Sequence, residues 1–406
     1  MLRLAWRNLW RQPRRTWLTA GAMIFSNVLL VFMISLQFGM YGLMINNTLR
    51  AFTGHLQVQA AGYIDDARMR RVVPDAAALA AKLRAELGLT TIAARGAAFA
   101  LASSAERSYG LQIYGVQPRF EPLVSNIPGL VRQGRYLQGD AAAEIVIGAV
   151  LARNLRVAVG DELTVLGSGR DGSMAAGVVN IVGIFDSGIA DLDRSIAEIP
   201  LGYFQDLFTM GDAGHQVVIS TAELAGVAAV QGRVEQVLPR GDGLVVHDWD
   251  ALQPGLKQAI EADMSSAFFM YGVLVILVAF SVLNTQLMSV LERTREFGVV
   301  MALGLTPGRL GGLVLLETLL MGLLGLLLGV ALGGLLTLWF TYHGFAYPGM
   351  DAMAANFNLP SVIYPRPSPT TLFLGPSVVF LFTLLSALIP ALRLRWLEPV
   401  AAMRAA

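Results

Sequence analysis

Four long apolar stretches, with one large polar insert after the first, constrain this chain more than any other feature. They run over Trp17–Met44, Met264–Leu291, Leu310–Met350 and Pro367–Leu392, and Glu317 is the one Asp, Glu, Lys or Arg in all four. A bilayer core is ~30 Å thick and takes about 20 apolar residues as a helix. Each stretch is long enough to cross it. The spacing predicts spans at 17–44, 264–291, 310–342 and 370–392, with a domain over 45–263 outside the membrane. The expected fold is therefore an α-helical membrane protein of four transmembrane helices, one plus three, carrying a large α+β domain.

Composition matters here mainly for what it removes. The 406 residues are 55% hydrophobic and 15% charged with a net charge of +1, which argues against nucleic acid as a partner. There is no Cys, hence no disulfide framework and no thiolate chemistry. His55, His215, His247 and His343 are dispersed and form no metal-ligand motif, so no metal is expected. The N-terminal apolar stretch is too long for a signal-peptide core and is expected to stay as a helix.

The basic residues set an orientation. Arg3, Arg7, Arg11, Arg14 and Arg15 precede the first span; Arg293, Arg295 and Arg309 lie between the second and third; Arg393, Arg395 and Arg404 follow the fourth. The loop 343–369 holds Arg366 alone. The positive-inside rule then puts both termini and the 292–309 loop in the cytoplasm and the insert on the far side. Within residues 1–16, Leu2, Trp6, Leu9 and Trp10 share one helical face and Arg3, Arg7, Arg11 and Arg14 another, the pattern of a helix lying in the membrane interface.

The insert alternates between strand and helix signals. His55–Ala60, Thr91–Leu101, Tyr109–Val116, Glu144–Ile147, Gln216–Ser220 and Leu244–His247 read as strands. Glu162–Leu166 and Val178–Phe185 read as a hairpin around Gly167–Gly172. Asp75–Leu87 and Ala149–Asn154 read as helical. A β-rich middle, about 119–208, is expected as a second subdomain inserted into the first. In the third span Gly325, Gly329 and Gly333 recur every fourth residue, the spacing that lets two membrane helices approach closely.

After the second span comes Glu292-Arg293-Thr294-Arg295-Glu296-Phe297-Gly298-Val299-Val300-Met301-Ala302-Leu303-Gly304. It is charged at its start and then apolar, with Phe297, Val300, Met301 and Gly304 on one face of a short helix. An ordinary solvated loop would account for the charges but not for the apolar half. The string resembles the coupling loop of ABC transporter permeases of the MacB/LolC/LolE/FtsX superfamily, matching at Arg295, Glu296, Phe297, Gly298, Ala302, Leu303 and Gly304. Met301 stands where that family usually has a basic residue. Trp6-Arg7-Asn8-Leu9 at the start, Gly148–Ala152 with Val159-Gly160-Asp161 in the insert, and Pro390–Arg393 with Glu398–Arg404 at the end resemble further segments of the family. Gly54–Val58, Gly62-Tyr63 and Ser361–Pro365 resemble its lipoprotein-releasing branch.

The resemblance implies a bacterial inner-membrane permease with a periplasmic domain, served by a separate cytoplasmic ABC ATPase dimer that holds ATP and Mg. It implies a second permease copy or a homologous permease, and room for a periplasmic or outer-membrane partner. Arg293, Arg295, Glu296, Phe297, Gly298, Ala302 and Gly304 would form the ATPase-coupling site, with Phe297 filling a pocket in the ATPase. Lys82 and Lys257 are the only lysines and neither follows a glycine-rich phosphate loop, so the chain itself is expected to be non-catalytic. Cargo would be a lipoprotein or another lipid-like molecule, met by the outer ends of the first two spans at Phe38, Met40, Met44, Phe268, Phe269 and Met270. MacB-like efflux of amphiphilic drugs or peptides is the nearest alternative. A membrane sensor would need a cytoplasmic output module, for which the 393–406 tail is too short. An intramembrane enzyme would need more polar groups inside the spans than Glu317 and a few Ser, Asn and Gln.

Overall fold

The structure is a computed structural model and describes residues 1–238, 241, 243–346 and 362–396. The family-like tail over 398–404 and Ser361 lie outside the described residues. The described residues divide into two compact units: those of 1–41, 259–346 and 362–396 form one, and those of 42–258 the other.

The first unit is helical. A leading helix, Leu2–Arg11, is followed after Gln12 by the first spanning helix, Pro13–Thr48. The second spanning helix is Pro254–Glu292, the third Pro307–His343 and the fourth Pro369–Arg393. All four are long and apolar enough to cross a bilayer, with mean hydropathy of 2.1 to 2.4 in their most apolar windows. Each exceeds its expected span, because backbone hydrogen bonding does not stop where side-chain hydropathy drops. The second helix starts ten residues before Met264, so the expected domain end at Asp263 falls inside it. Pro307 and Pro369 occupy first-turn positions, where a missing N–H costs nothing. Ser368 adds a reciprocal cap with Thr371.

Glycines decide how these helices meet. A Cβ on Gly325 would stand 2.9 Å from Met23 Cβ, one on Gly333 3.0 Å from Val31 Cβ, and one on Gly329 would collide with Asn27. The glycine stripe of the third helix is thus occupied by the first helix of the same chain. Asn27 donates from Nδ2 to the Gly325 carbonyl at 3.1 Å, exploiting that closeness. The fourth helix closes on the other side, with Gly375 against Leu30 and Gly322 against Phe380. The second helix is the least enclosed: 11% of its most apolar window is buried, against 44% for the first helix.

The second unit is α/β. Its ten strands are β1 (Leu56–Ala60), β2 (Ile92–Ser103), β3 (Ser108–Val116), β4 (Val131–Gly134) and β5 (Glu144–Gly148). Then come β6 (Glu162–Ser168), β7 (Met174–Phe185), β8 (Ile196–Pro200), β9 (Gln216–Ile219) and β10 (Leu244–Asp248). They form one sheet in the order β10-β1-β9-β2-β3-β8-β5-β7-β4, with β6 bridging β2 and β7. Pairs β3/β8 and β5/β7 are parallel. The expected β-rich middle is therefore continuous with the rest through β2 and β3. The unit's buried apolar residues fall into several clusters: the two largest gather Leu56, Val58, Leu79, Leu83, Ile92 and Val217, and Ala100, Leu111, Ile147, Leu163, Val179 and Phe208, with smaller ones around Val116, Ile127 and Phe185 and around Ala93, Val124 and Val218.

Most sequence-predicted elements stand where expected, including helix Ala76–Leu87 with Gly88 at φ +67 as its stop. The β6–β7 hairpin closes through Gly172 at φ +89. Strand β8 escaped prediction because Glu198 and Pro200 break its apolar pattern. Buried Arg95 pairs with Glu121 through both carboxylate oxygens and donates to the Phe52 carbonyl at 2.7 Å. It thereby anchors the π-turn Leu49–Thr53 that ends the first spanning helix.

Candidate coupling site

The 292–309 segment folds as a nine-residue helix, Thr294–Ala302, between the second and third spanning helices. Gly304, at φ +99, takes a conformation that strains any residue with a Cβ, and its N–H bonds the Met301 carbonyl at 3.0 Å. The chain then turns through Thr306 into Pro307 and the third helix.

The short helix has two faces, and one departs from expectation. Phe297 and Met301 are buried with Val290, Leu310, Val314 and Leu394, and Val300 and Leu305 pack against them. Phe297, expected to project into an ATPase pocket, is only 3% exposed and fills a pocket of its own chain. The physical reason is proximity: burying a phenyl ring is worth about 2–3 kcal/mol, and the start of the third helix supplies an apolar surface within one turn. Met301 lies in the same cluster, so the position usually basic in the family here serves the interior. Gly298 is buried beside them, while Arg295, Glu296, Val299, Ala302, Leu303 and Gly304 are exposed.

Charges fasten this helix from behind. Glu317, buried in the third helix, accepts from Asn8 Nδ2 at 2.7 Å and from Arg293 Nη1 at 3.3 Å on each carboxylate oxygen. Arg293 also reaches Glu296 at 3.6 Å and lies 4.9 Å over the Phe297 ring. A buried carboxylate stripped of either partner would be costly, and an intramembrane one more so. Around this centre, Arg15 donates to Ser289 at 2.5 Å and pairs with Glu292 at 3.1 Å, while Arg11 pairs with Glu296 at 3.3 Å. The leading helix, the end of the second helix, the short helix and the third helix thus share one polar cluster.

Sequence reasoning found Arg293 and Glu296 but not the link to Asn8 and Glu317, which are 309 positions apart. The signal was a lone acid in an apolar span, which calls for a partner, and a lone amide between Ala5 and Leu9.

The expected cargo-facing residues separate by exposure. Phe268, Phe269 and Met270 are exposed at 42%, 77% and 65%, Phe38 at 39%, and Met40 and Met44 are half-buried. Just inside them, Tyr271 donates to Gln37 at 3.0 Å, and Tyr41 donates to Asp263 at 2.5 Å, tying the first two spanning helices together. Among the described residues no group of three or more His, Asp or Glu side chains is placed to hold a metal. His55 and His215 are buried structural groups: His55 Nδ1 accepts from the Thr221 N–H at 3.2 Å and His215 Nδ1 from the Ala97 N–H at 3.0 Å.

Comparison with known proteins agrees with this architecture. Residues 16–237 match the MacB-like periplasmic core domain, more than half of the chain, and residues 268–399 match the FtsX-like permease C-terminal region. The LolC lipoprotein-releasing system transmembrane protein of Neisseria meningitidis serogroup B is 24% identical over 249 residues, 58% of each chain. LolC of Xylella fastidiosa (strain Temecula1) is 23% identical over 316 residues, 74% of each chain. The periplasmic region of MacB from Actinobacillus actinomycetemcomitans superposes with a TM-score of 0.37 at 17% identity, covering 53% of this chain and 97% of that one. The four apolar helices and the two family matches define a permease of the FtsX type, a multi-pass membrane protein with a domain of the MacB periplasmic type. The chain belongs to the MacB-like periplasmic core domain family, within the MacB/LolC/LolE/FtsX superfamily. It spans 58% of the length of the first LolC relative.

Proposed function

We propose that this chain is the non-catalytic permease subunit of a lipoprotein-releasing type of transporter. A separate cytoplasmic ATPase dimer, holding ATP and Mg, docks on the exposed face of helix Thr294–Ala302. Its closure is carried through the Arg293–Glu317 cluster into the spanning helices and onward to the α/β domain. The chain sits in the bacterial inner membrane beside a second permease copy or homologue, with both termini cytoplasmic and the α/β domain in the periplasm. Cargo is a lipoprotein or another lipid-like amphiphile.

The observation that supports this most is the two-faced short helix: its apolar side is held by its own chain and its other side is exposed, with Glu296 there paired to Arg11 and Arg293. The docking residues are then Arg295, Glu296 and Ala302, extended by Val299 and Leu303, which is 82% exposed. Phe297, Gly298 and Gly304 set the shape of the helix, and Arg293 its attachment. The test is purification of the tagged full chain from its native host, with co-purifying ABC ATPase counted by mass spectrometry. Exchange of the two charges, R295E with E296R, should cut ATPase recovery about tenfold or more while membrane insertion stays normal. Undiminished recovery from that variant would move the docking face elsewhere. Absence of any ABC ATPase from the wild-type preparation would end the reading.

A further inference from the structure

The chain has no Asp or Glu before Asp65, yet its first fifteen residues hold Arg3, Arg7, Arg11, Arg14 and Arg15. The structure shows how few of these charges are met internally. Arg15 pairs with Glu292 and Arg11 with Glu296, both through exposed or part-exposed contacts. Arg3, Arg7 and Arg14 are exposed and have no carboxylate partner among the described residues.

The leading helix cannot turn this charge away. Ala5 and Leu9, one helical turn apart, are buried, and Leu9 joins Ala20, Met23, Val282 and Met321 in an apolar cluster. Asn8 on the same side is bonded to Glu317, and Thr16 Oγ1 donates to the Leu9 carbonyl at 2.6 Å across the break at Gln12. Four contacts thus fix the rotation of the helix about its axis. The face expected to be apolar is split: Leu9 turns inward, while Trp6, Trp10 and Trp17 form an exposed edge-to-face ladder with ring centroids 5.9 and 6.1 Å apart. Indole rings settle at the level of lipid headgroups, and the exposed Arg3 and Arg7, one turn apart on the leading helix, with Arg14 just past its end, bring guanidinium groups to the same depth as the phosphates.

We propose that the leading helix, with the start of the first spanning helix, is a binding site for the phosphate headgroups of anionic membrane phospholipid. Arg3, Arg7 and Arg14 are the headgroup ligands, and Trp6, Trp10 and Trp17 the flanking interfacial surface. Charge complementarity singles out this occupant: an acidic peptide would need only the arginines, whereas the indole ladder at their side suits an amphiphile. Arg11, on the same helix, pairs instead with Glu296 of the short helix, so the lipid site adjoins the proposed coupling site. The binding itself requires only that the chain lie in a membrane, so it stands or falls apart from the transport reading.

The test uses the full chain in detergent micelles doped with equal phosphatidylglycerol and phosphatidylcholine, and measures the ratio of the two lipids that co-purify. Wild type should enrich phosphatidylglycerol, and high salt should reduce the enrichment. The triple variant R3Q/R7Q/R14Q should lose about tenfold or more of it, while R3K/R7K/R14K, which keeps the charge, should retain most. Inorganic phosphate added at matching concentration should not displace the lipid. Wild type without selectivity, or a glutamine variant as selective as wild type, overturns the proposal. Displacement by free phosphate as readily as by phosphatidylglycerol would also overturn it, leaving a simple anion site. Should the glutamine variant misfold, the wild-type selectivity and its salt dependence decide.

Discussion

At the scale of single residues, three buried ionisable groups of the α/β domain oppose one another. Glu198 in β8 is fully buried, accepts from Tyr136 at 2.7 Å and leaves its Oε1 without a partner. Burial and the nearby Glu121 charge push its carboxyl up to about 8. Burial brings the His55 and His215 imidazoles down to about 4. The native domain therefore holds an extra proton at Glu198 between about pH 4.5 and 8, and stability falls as pH rises through that window. The histidines act in the opposite sense, costing stability as pH falls from about 6.5 toward 4. Between pH 6.5 and 8 only Glu198 contributes of these three, and its contribution lowers stability as pH rises. Melting of the full chain should be highest near pH 6.5, and Glu198→Gln, which mimics the protonated acid, should flatten the alkaline decline. An unchanged slope in that variant would assign the decline to other groups. Arg95, the largest fully buried side chain, stood in plain view as the lone charge of the small and apolar run Ile92–Ser103. Its partner Glu121 is 26 positions away and gives no periodic signal.

At the scale of elements, the glycine stripe makes a sharp prediction. Gly329→Leu should place a side chain inside Asn27 and cost ~3 kcal/mol or more by overpacking. Gly312→Leu, where a new Cβ meets nothing within 4 Å, serves as the control. Thermal melts of both variants in one detergent check this, and equal melting points would free the stripe from the first helix. The spacing of Gly325, Gly329 and Gly333 was legible because it is periodic; which helix covers them was not, since any small-residue stripe admits several neighbours. The short helix repeats the lesson. Its periodicity grouped Phe297 with Met301, but an apolar face can be satisfied by a partner or by the chain's own third helix. Only the fold shows that Leu310 and Val314 come near enough to take it. Conversely, the strands of the insert were readable one by one, while their merger into a single sheet depends on β1 finding β10 across almost two hundred residues.

At the scale of the whole molecule, the exposed Phe268, Phe269 and Met270 test the proposed cargo route. Photo-crosslinkers at Met40 and Phe269 should capture cargo without ATP and release it once ATP is bound. Adducts to lipid alone, indifferent to ATP, would send the search for a cargo site into the α/β domain. One topological fact bears on how such a domain responds to load. The chain enters the sheet at Leu56 and leaves it at Asp248, and these residues face each other at one end of the antiparallel β1/β10 pair. Both connections to the spanning helices therefore hang from the same end of one ladder. A force that spreads them would not shear five rungs together; it would peel the pair open rung by rung, starting at Leu56 and Asp248. The fork carries a rivet at that point. Gln253 Nε2 donates to Thr53 Oγ1 at 3.0 Å, joining the two legs before the first rung, and Gln57 Nε2 steadies the entering leg by donating to the Thr53 carbonyl at 2.7 Å. Within the domain, the β1/β10 pair opens to a spreading force only after the Gln253–Thr53 hydrogen bond gives.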